Sequence, residues 1–456
     1  MSTTPSPRPL RVLISGGGVA GPAVALELSR LPPPLRCEIT IVERHPDLRA
    51  SGQQIDLRGQ GVVAMRRLGI ESQVREVRVE EPGLRILNAR GKLQAYFGSN
   101  KTGQGAQGFS AEWEIMRGSL VRVLYDETKD LPGITYRFGT TVSSFEHIRD
   151  GTAVRARLSD GTEAEYDLMI GCDGLGSRTR RNMFTDGRED IVKSVGVACA
   201  FYTIPPRDED TPNAVLCQFP GRRYIMTRRD QPGCLRAYLG FRNPDERLSQ
   251  TIKHGTVEEQ KKAWAEAFKH DLSNEWGVKR SLDGLFTPEA DDFYTQDFAQ
   301  VKLDNWTEGR VTLVGDAGYC PSPMTGQGTS LALIGACVLA GEIARACSAE
   351  LTSQSSDSQA TNNETNDPWS GGIPRALAGY EKTLRPMVDI VHSENIQRGI
   401  KILMPETAWA IKLIHWTMWL VSTLRIDQIA SRFASDDRGS WKLPEYPELV
   451  KPKVSE

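Results

Sequence analysis

The sequence predicts an α/β protein, with a Rossmann-like dinucleotide-binding domain, an inserted antiparallel-sheet domain and C-terminal helices, and three stretches carry that reading. The apolar, β-branched run Leu10–Ser15 leads into Gly16-Gly17-Gly18 and then a helix-like stretch over 20–31. Residues 191–245 break into short alternating runs separated by Pro, Gly and Asp, the texture of an antiparallel sheet. Residues 329–346 are apolar over a helical length.

In the first unit, Pro22 falls where a helix does not use its N–H, and Val24, Leu28 and Leu31 recur at the spacing that faces a sheet. A second strand over 37–44 completes βαβ. The runs at 195–203, 214–219, 224–227 and 235–241 supply the inserted sheet, 257–277 reads as a helix, and 311–315 is another buried strand. Residues 348–372 are nearly free of apolar side chains and predict a flexible loop. The expected division is 1–190 and 291–347 for the two parts of the nucleotide domain, 191–290 for the substrate domain, and 373–456 for a helical region.

With 456 residues the chain exceeds one ordinary core and has room for a buried cofactor. Lys plus Arg number 56 against 58 Asp plus Glu, and no basic stretch is interleaved with aromatics, so nucleic acid is excluded as a partner. The eight cysteines contain no C-x-x-C pair, which argues against a zinc site and for reduced, mostly buried thiols. Pro and Ser interrupt the N-terminus where a signal peptide needs a continuous apolar core, so a cytoplasmic protein is expected. Residues 406–425 are apolar, but Lys412 and His415 near their middle oppose a membrane span. A helix packed on the protein is expected there, with membrane-surface contact as the alternative.

Gly16-x-Gly18-x-x-Gly21 has the order a pyrophosphate requires: a tight turn, a close backbone approach, and close packing of helix on strand. Glu43 follows at the end of the second strand, where a carboxylate can accept from an adenosine ribose. Gly103-x-Gly105-x-x-Gly108 fits the same pattern but lacks a preceding strand and a following helix, so it is read as a loop. One dinucleotide is therefore held permanently.

Two later segments bear on which one. YDLMIGCDGLGSRTR at 166–180 is a strand ending in Asp173-Gly174, and the stretch from 311 (VTLVGDAGYCPSPMTGQGTSLALIG) is a strand ending in Gly315-Asp316, then a Pro/Gly loop and a helix. Asp316 sits beside a helix N-terminus, and Gly326 and Gly328 leave the loop free of bulk. Singly, each has an ordinary reading: a helix cap for Asp316, a β-turn for Asp173-Gly174, a surface ion pair for Arg117.

With Arg117 in EIMRGSLVRVL and YEKTLRP at 380–386, these segments stand in one order along the chain that resembles the class A flavoprotein monooxygenases, the family of para-hydroxybenzoate hydroxylase. SGQQIDLRGQGVVAMRRLGI, with Asp56, resembles the tetracycline-inactivating branch, although His45 stands where that branch often has Asp. The resemblance implies FAD as resident cofactor, with Glu43 and Arg44 at the adenosine end and Arg117 at the phosphates or ribityl chain. It further implies Asp173 in pyrophosphate binding and NADPH use, Asp316 at the ribityl hydroxyls, and Asp56, Pro323, Gly326 and Gly328 around the ring.

The implied reaction takes electrons from NADPH and one oxygen atom from O2, through a flavin hydroperoxide, to hydroxylate, epoxidise or Baeyer–Villiger oxidise a small aromatic, polyketide-like or antibiotic-like molecule. A flavin reductase or halogenase is the alternative enzyme, the latter disfavoured by the lack of a W-x-W-x-I-P segment, and a non-catalytic flavin-binding protein is the third reading. On the inserted sheet, Arg223, Tyr224 and Tyr238 are the expected polar substrate contacts, with Phe219 and Phe241 as apolar walls; the competing reading makes these aromatics sheet core.

Overall fold

Strands buried on both faces read as unbroken apolar runs, and the computed structural model, which describes residues 7–48, 52–99, 112–184, 191–231, 233–356, 367–426 and 440–450, uses its most apolar strands in that way. Leu10–Ser15 lies inside a six-stranded sheet in the order Thr307–Glu308, Val311–Leu313, Leu168–Gly171, Leu10–Ser15, Cys37–Val42, Ile134–Arg137. Every neighbouring pair is parallel except the first. Leu10, Leu13 and Ile14 are fully buried there, in one apolar cluster with residues of helices Ala20–Leu28 and Gly328–Ser356.

Helix Gly328–Ser356 is long and apolar enough to cross a membrane, but it is the core helix of this lobe, with Leu331, Leu333, Ile334, Val338, Leu339 and Ile343 all inaccessible to solvent. It corrects the loop expected at 348–372. The helix continues to Ser356 and a second one, Pro368–His392, begins with Asp367 accepting from the Trp369 amide. Tertiary burial overrides the polar composition: Trp369 is buried, and Gly372 lies so close to Cys347 that a Cβ would sit 2.6 Å from its sulfur. Residues 357–366 lie outside the described residues, as do the glycines at 103, 105 and 108.

The second sheet has seven strands in the order Tyr294–Val301, Val192–Ile204, Cys234–Arg242, Arg223–Gln231, Ala214–Phe219, Gly83–Leu87, Leu93–Gly98. Three of them fall outside the expected 191–290. The hairpin at 83–98 extends the edge that Ala214–Phe219 would otherwise expose, and Tyr294–Val301 closes the opposite edge.

The four central strands, Val192–Ile204, Cys234–Arg242, Arg223–Gln231 and Ala214–Phe219, alternate between two apolar clusters, as the pleat requires. One face, with Phe219, Ile225, Leu235, Ala237 and Leu239, packs on Trp264 and Phe268 of helix Val257–Leu272. The other, with Phe201, Leu216, Tyr224, Tyr238 and Phe298, meets Met324 of the nucleotide lobe and Ile400, Met404, Met418 and Val421 of the C-terminal helices.

Candidate active site

Two chain crossings at the carboxyl ends of the parallel strands, together with Arg117, build one groove. Gly16 turns at φ +113°, and a Cβ there would lie 2.4 Å from the Cys172 carbonyl oxygen of the neighbouring strand end. Gly21 lies equally tight beneath, where a Cβ would sit 2.0 Å from the Gly16 oxygen. Gly18, by contrast, faces the groove, and the nearest atom to a Cβ there is the Arg117 guanidinium at 3.2 Å. Glu43 braces the turn from the end of its strand, accepting from the Gly17 amide at 2.9 Å and from the His45 amide at 2.9 Å, with Arg44 exposed beside it.

The second crossing is Gly315 at φ +70°, wedged between Ala20 and Ala332, so that the N-termini of helices Ala20–Leu28 and Gly328–Ser356 point to one place. Two positive helix ends there favour negative charge in the groove. Asp316 follows on the groove wall, where burial pushes its carboxyl up while Cys320 and the cations Arg117 and Arg180 pull it back. Gly328 lies against Asp316, and Gly326, at φ +63°, lies against the Asp56 carboxylate, itself paired with Arg58. Pro323 is exposed at the head of the same loop. Gly16, Arg117 and Asp316 therefore converge, and Gly18, Gly326 and Gly328 line a trough that side chains would fill. Its glycine floor, helix N-termini and carboxylate at the sugar-chain position fit a flavin dinucleotide.

The Asp173 carboxylate is engaged within its own segment. Its carboxylate accepts from the Ser177 hydroxyl, from the Arg178 and Thr179 amides at 2.8 and 3.0 Å, and from the Thr179 hydroxyl at 3.1 Å. Four donors within its own turn engage those oxygens, so the side chain fixes the backbone that packs behind Gly16. Arg180, quoted in the motif but given no role, is 3% exposed and donates to the carbonyls of Leu175 and Ala317, tying the Asp-Gly segment to the Gly-Asp segment. The YEKTLRP segment acts from behind. Tyr380 donates to the Leu313 carbonyl at 2.9 Å, and Arg385 binds the carbonyls of Leu303 and Asp304, so the motif holds the strand that carries Asp316.

On the sheet, alternation divides the expected substrate residues. Arg223, Phe219 and Phe241 lie on the face covered by helix Val257–Leu272 and do not line the site. Arg223 donates to both carboxylate oxygens of Asp271 and to the Ala267 carbonyl, with its guanidinium 5.9 Å from the Phe241 ring centroid. Arg223→Ala is expected to cost ~1–3 kcal/mol of stability and leave substrate KM unchanged, read by denaturant unfolding and steady-state kinetics. A KM shift at full stability would return Arg223 to the site.

Tyr224 is on the correct face, but its ring covers Gly240 and its hydroxyl pairs with the Cys199 sulfur at 3.2 Å. Tyr238 differs. It is 5% exposed, its hydroxyl has no hydrogen-bond partner among the described residues, and its ring meets Phe201 edge-on with centroids 5.1 Å apart. Burial raises its phenol far above the ordinary value, against the pull of Arg228, so it stays a neutral donor. Sequence reasoning missed the neighbouring polar group altogether: Arg228 binds Glu81 and Glu114, and Gln54 donates to both carboxylates, with Gln54, Glu81 and Glu114 buried and Arg228 partly so where the sheet meets the short strands Gln54–Asp56 and Glu114–Met116. Charges that meet only across a domain junction leave no periodic signal in the chain.

The chain matches the family described as FAD binding domain over residues 9–359. It is 36% identical to the FAD-dependent monooxygenase asL4 of Sarocladium schorii, over 97% of this chain and 99% of that protein. It is 39% identical to the flavin-dependent monooxygenase eupH of Phoma sp, over 89% and 90% of the two chains. Among solved structures, the tetracycline destructase Tet(51) superposes with a TM-score of 0.68 at 27% identity, covering 97% of this chain and 100% of that one. HpxO of Klebsiella pneumoniae, solved with FAD, shares the fold at a TM-score of 0.66 and 16% identity, over 93% and 98% of the two chains. With its glycine turn, Arg117 and Asp316 gathered on one groove, the chain belongs to the FAD-dependent monooxygenases of the FAD binding domain family, and FAD is its cofactor.

Proposed function

We propose that this monooxygenase draws its electrons from NADPH and oxygenates a small, largely apolar, oxygen-bearing organic molecule held beneath the inserted sheet, with the Tyr238 hydroxyl as the donor that orients it. The observation that carries the reading is the unpartnered hydroxyl of a buried tyrosine on the sheet face that meets the Pro/Gly loop. A buried donor without a partner costs ~1–3 kcal/mol, a cost that a substrate carbonyl or phenolate would remove. The apolar walls are then Phe201, Met226 and Phe298, which share its cluster. Likeness to a protein named tetracycline destructase supports a polycyclic, multiply oxygenated substrate class.

Bound FAD supplies hydride acceptance from the nicotinamide and activation of O2. The chain's own part is placement and dryness. Arg117, Asp316 and the glycine trough hold the dinucleotide, while the sheet face and the C-terminal helices keep water from the reacting atoms.

Tyr238→Phe tests the reading. It is expected to lower kcat/KM for oxygenation about tenfold, with FAD content unchanged and more of the oxidised NADPH released as H2O2. Product mass spectrometry and peroxide assay across polyketides, phenols and antibiotics measure both. Equal kcat/KM and equal coupling in the two proteins on a turned-over substrate would remove Tyr238 from the role.

A further inference from the structure

Helix Ala408–Thr423 carries two apolar faces, and among the described residues only one of them is covered. Its inner face holds Ile411, Met418 and Val421, and His415 contacts the Gln218 carbonyl oxygen at 3.2 Å, while the Gln218 amide donates to Ile402 and Leu403. Its outer face presents Trp409, Leu413, Trp416 and Trp419, exposed to 71%, 44%, 57% and 49%. Three tryptophans on one solvent face form a patch that monomeric proteins seldom leave open without a partner.

We propose that this outer face docks on an anionic membrane surface, with the helix lying in the interface plane. Charge selects the partner. From Thr407 to Ile426 the helix and its end carry Lys412 and Arg425 and no acidic residue, and the preceding helix Ile396–Leu403 adds exposed Arg398 and Lys401. Of the two acids that flank this stretch, Glu406 is paired with Arg222, and Asp427 lies outside the described residues. Tryptophan beside lysine on a helix is the composition that seats at the boundary of headgroups and acyl chains. A second copy of the chain fits less well, because two-fold pairing of this face would bring Lys412 toward its own copy with no countercharge on the face. With 16 residues the helix reaches only ~24 Å, short of a span, so it lies on the surface. Because Met418 and Val421 share a cluster with Tyr238, docking would set the substrate face beside the lipid from which an apolar molecule partitions.

Flotation of the FAD-loaded full chain with phosphatidylcholine vesicles, with and without roughly one-third phosphatidylserine, tests the proposal. The expected result is binding to the anionic vesicles that exceeds binding to neutral ones by at least about tenfold, with a blue shift of tryptophan emission. The triple variant Trp409→Ala/Trp416→Ala/Trp419→Ala is expected to lose at least about tenfold of that binding, and Lys412→Ala roughly fivefold, both keeping full FAD absorbance. Retained flavin shows that the variants fold. No vesicle binding by the unaltered chain, or binding unchanged in the triple variant, overturns the proposal. It is equally overturned by a dimer that the triple variant dissociates, which assigns the face to a second copy, or by tryptophans shielded from acrylamide in the free monomer, which assigns it to the chain itself.

Discussion

Gly16→Ala protein is expected to purify without yellow colour and to unfold with a deficit of ~3 kcal/mol or more. Two independent costs add at this position. The backbone is at φ +113°, which a β-carbon resists, and the added carbon would lie 2.4 Å from the Cys172 oxygen and 2.7 Å from its carbonyl carbon. The obstacle is backbone in a central parallel strand, so relief requires moving Leu10–Ser15 against Leu168–Gly171. Gly18→Ala makes the instructive contrast. The new methyl meets only the flexible end of Arg117, so the protein should keep its melting temperature while losing affinity for FAD. Flavin absorbance and thermal unfolding, measured on both variants, separate the two effects. A yellow Gly16→Ala protein of unaltered stability would contradict the role assigned to that crossing.

Asp316→Ala is expected to weaken FAD binding about a hundredfold, because a carboxylate that accepts from sugar-chain hydroxyls contributes charge-assisted hydrogen bonds of ~1.5–3 kcal/mol. The sign of its effect on stability should depend on the cofactor. Burial raises the Asp316 carboxyl above its ordinary value, so the folded apoprotein takes up a proton that the unfolded chain releases. Its contribution is therefore favourable at low pH and is lost as pH rises past the ordinary carboxylate range. At neutral pH the apoprotein should melt no lower, and slightly higher, without the carboxyl, whereas the FAD-loaded protein should melt lower. Apo and holo melting curves at pH 7, with Asp316→Asn as the uncharged isostere, read this directly; a variant that retains normal flavin affinity would exclude the side chain from the cofactor site.

How much of this was legible in the chain follows from the range of each interaction. The glycine turn, Glu43 and Asp316 could be singled out because each sits at a strand end, in a loop or at a helix start, whereas Arg117 and Asp56 were singled out by the family resemblance alone; the structure brings Gly16, Arg117 and Asp316 to one groove. The inserted sheet was readable as a sheet, since alternation is local. Which phase of the alternation faced the cofactor was not. Arg223 and Tyr224 were both assigned to the site although neighbours in a strand must point apart, and only the helix carrying Trp264 and Phe268 decides which one is covered. The hairpin at 83–98 was missed for a related reason: its partner Ala214–Phe219 lies more than a hundred residues onward. Cysteine usage was more direct. Among the described residues all eight thiols are unpaired, and six are buried, with burial pushing Cys199 and Cys217 up to about 12.

The order of the nucleotide sheet bears on how the chain is made. Leu168–Gly171 receives its outer neighbour, Val311–Leu313, only after most of the inserted sheet has been synthesised, and the covering helix Gly328–Ser356 comes later still. A nascent chain that has emerged to residue 190 therefore holds a parallel sheet with one open edge and an uncovered apolar flank, the arrangement that invites wrong pairing. The inserted sheet receives its last strand at Val301, before the nucleotide lobe has Val311–Leu313 or its covering helix, so the nucleotide lobe closes last and its first half is a poor candidate for expression by itself.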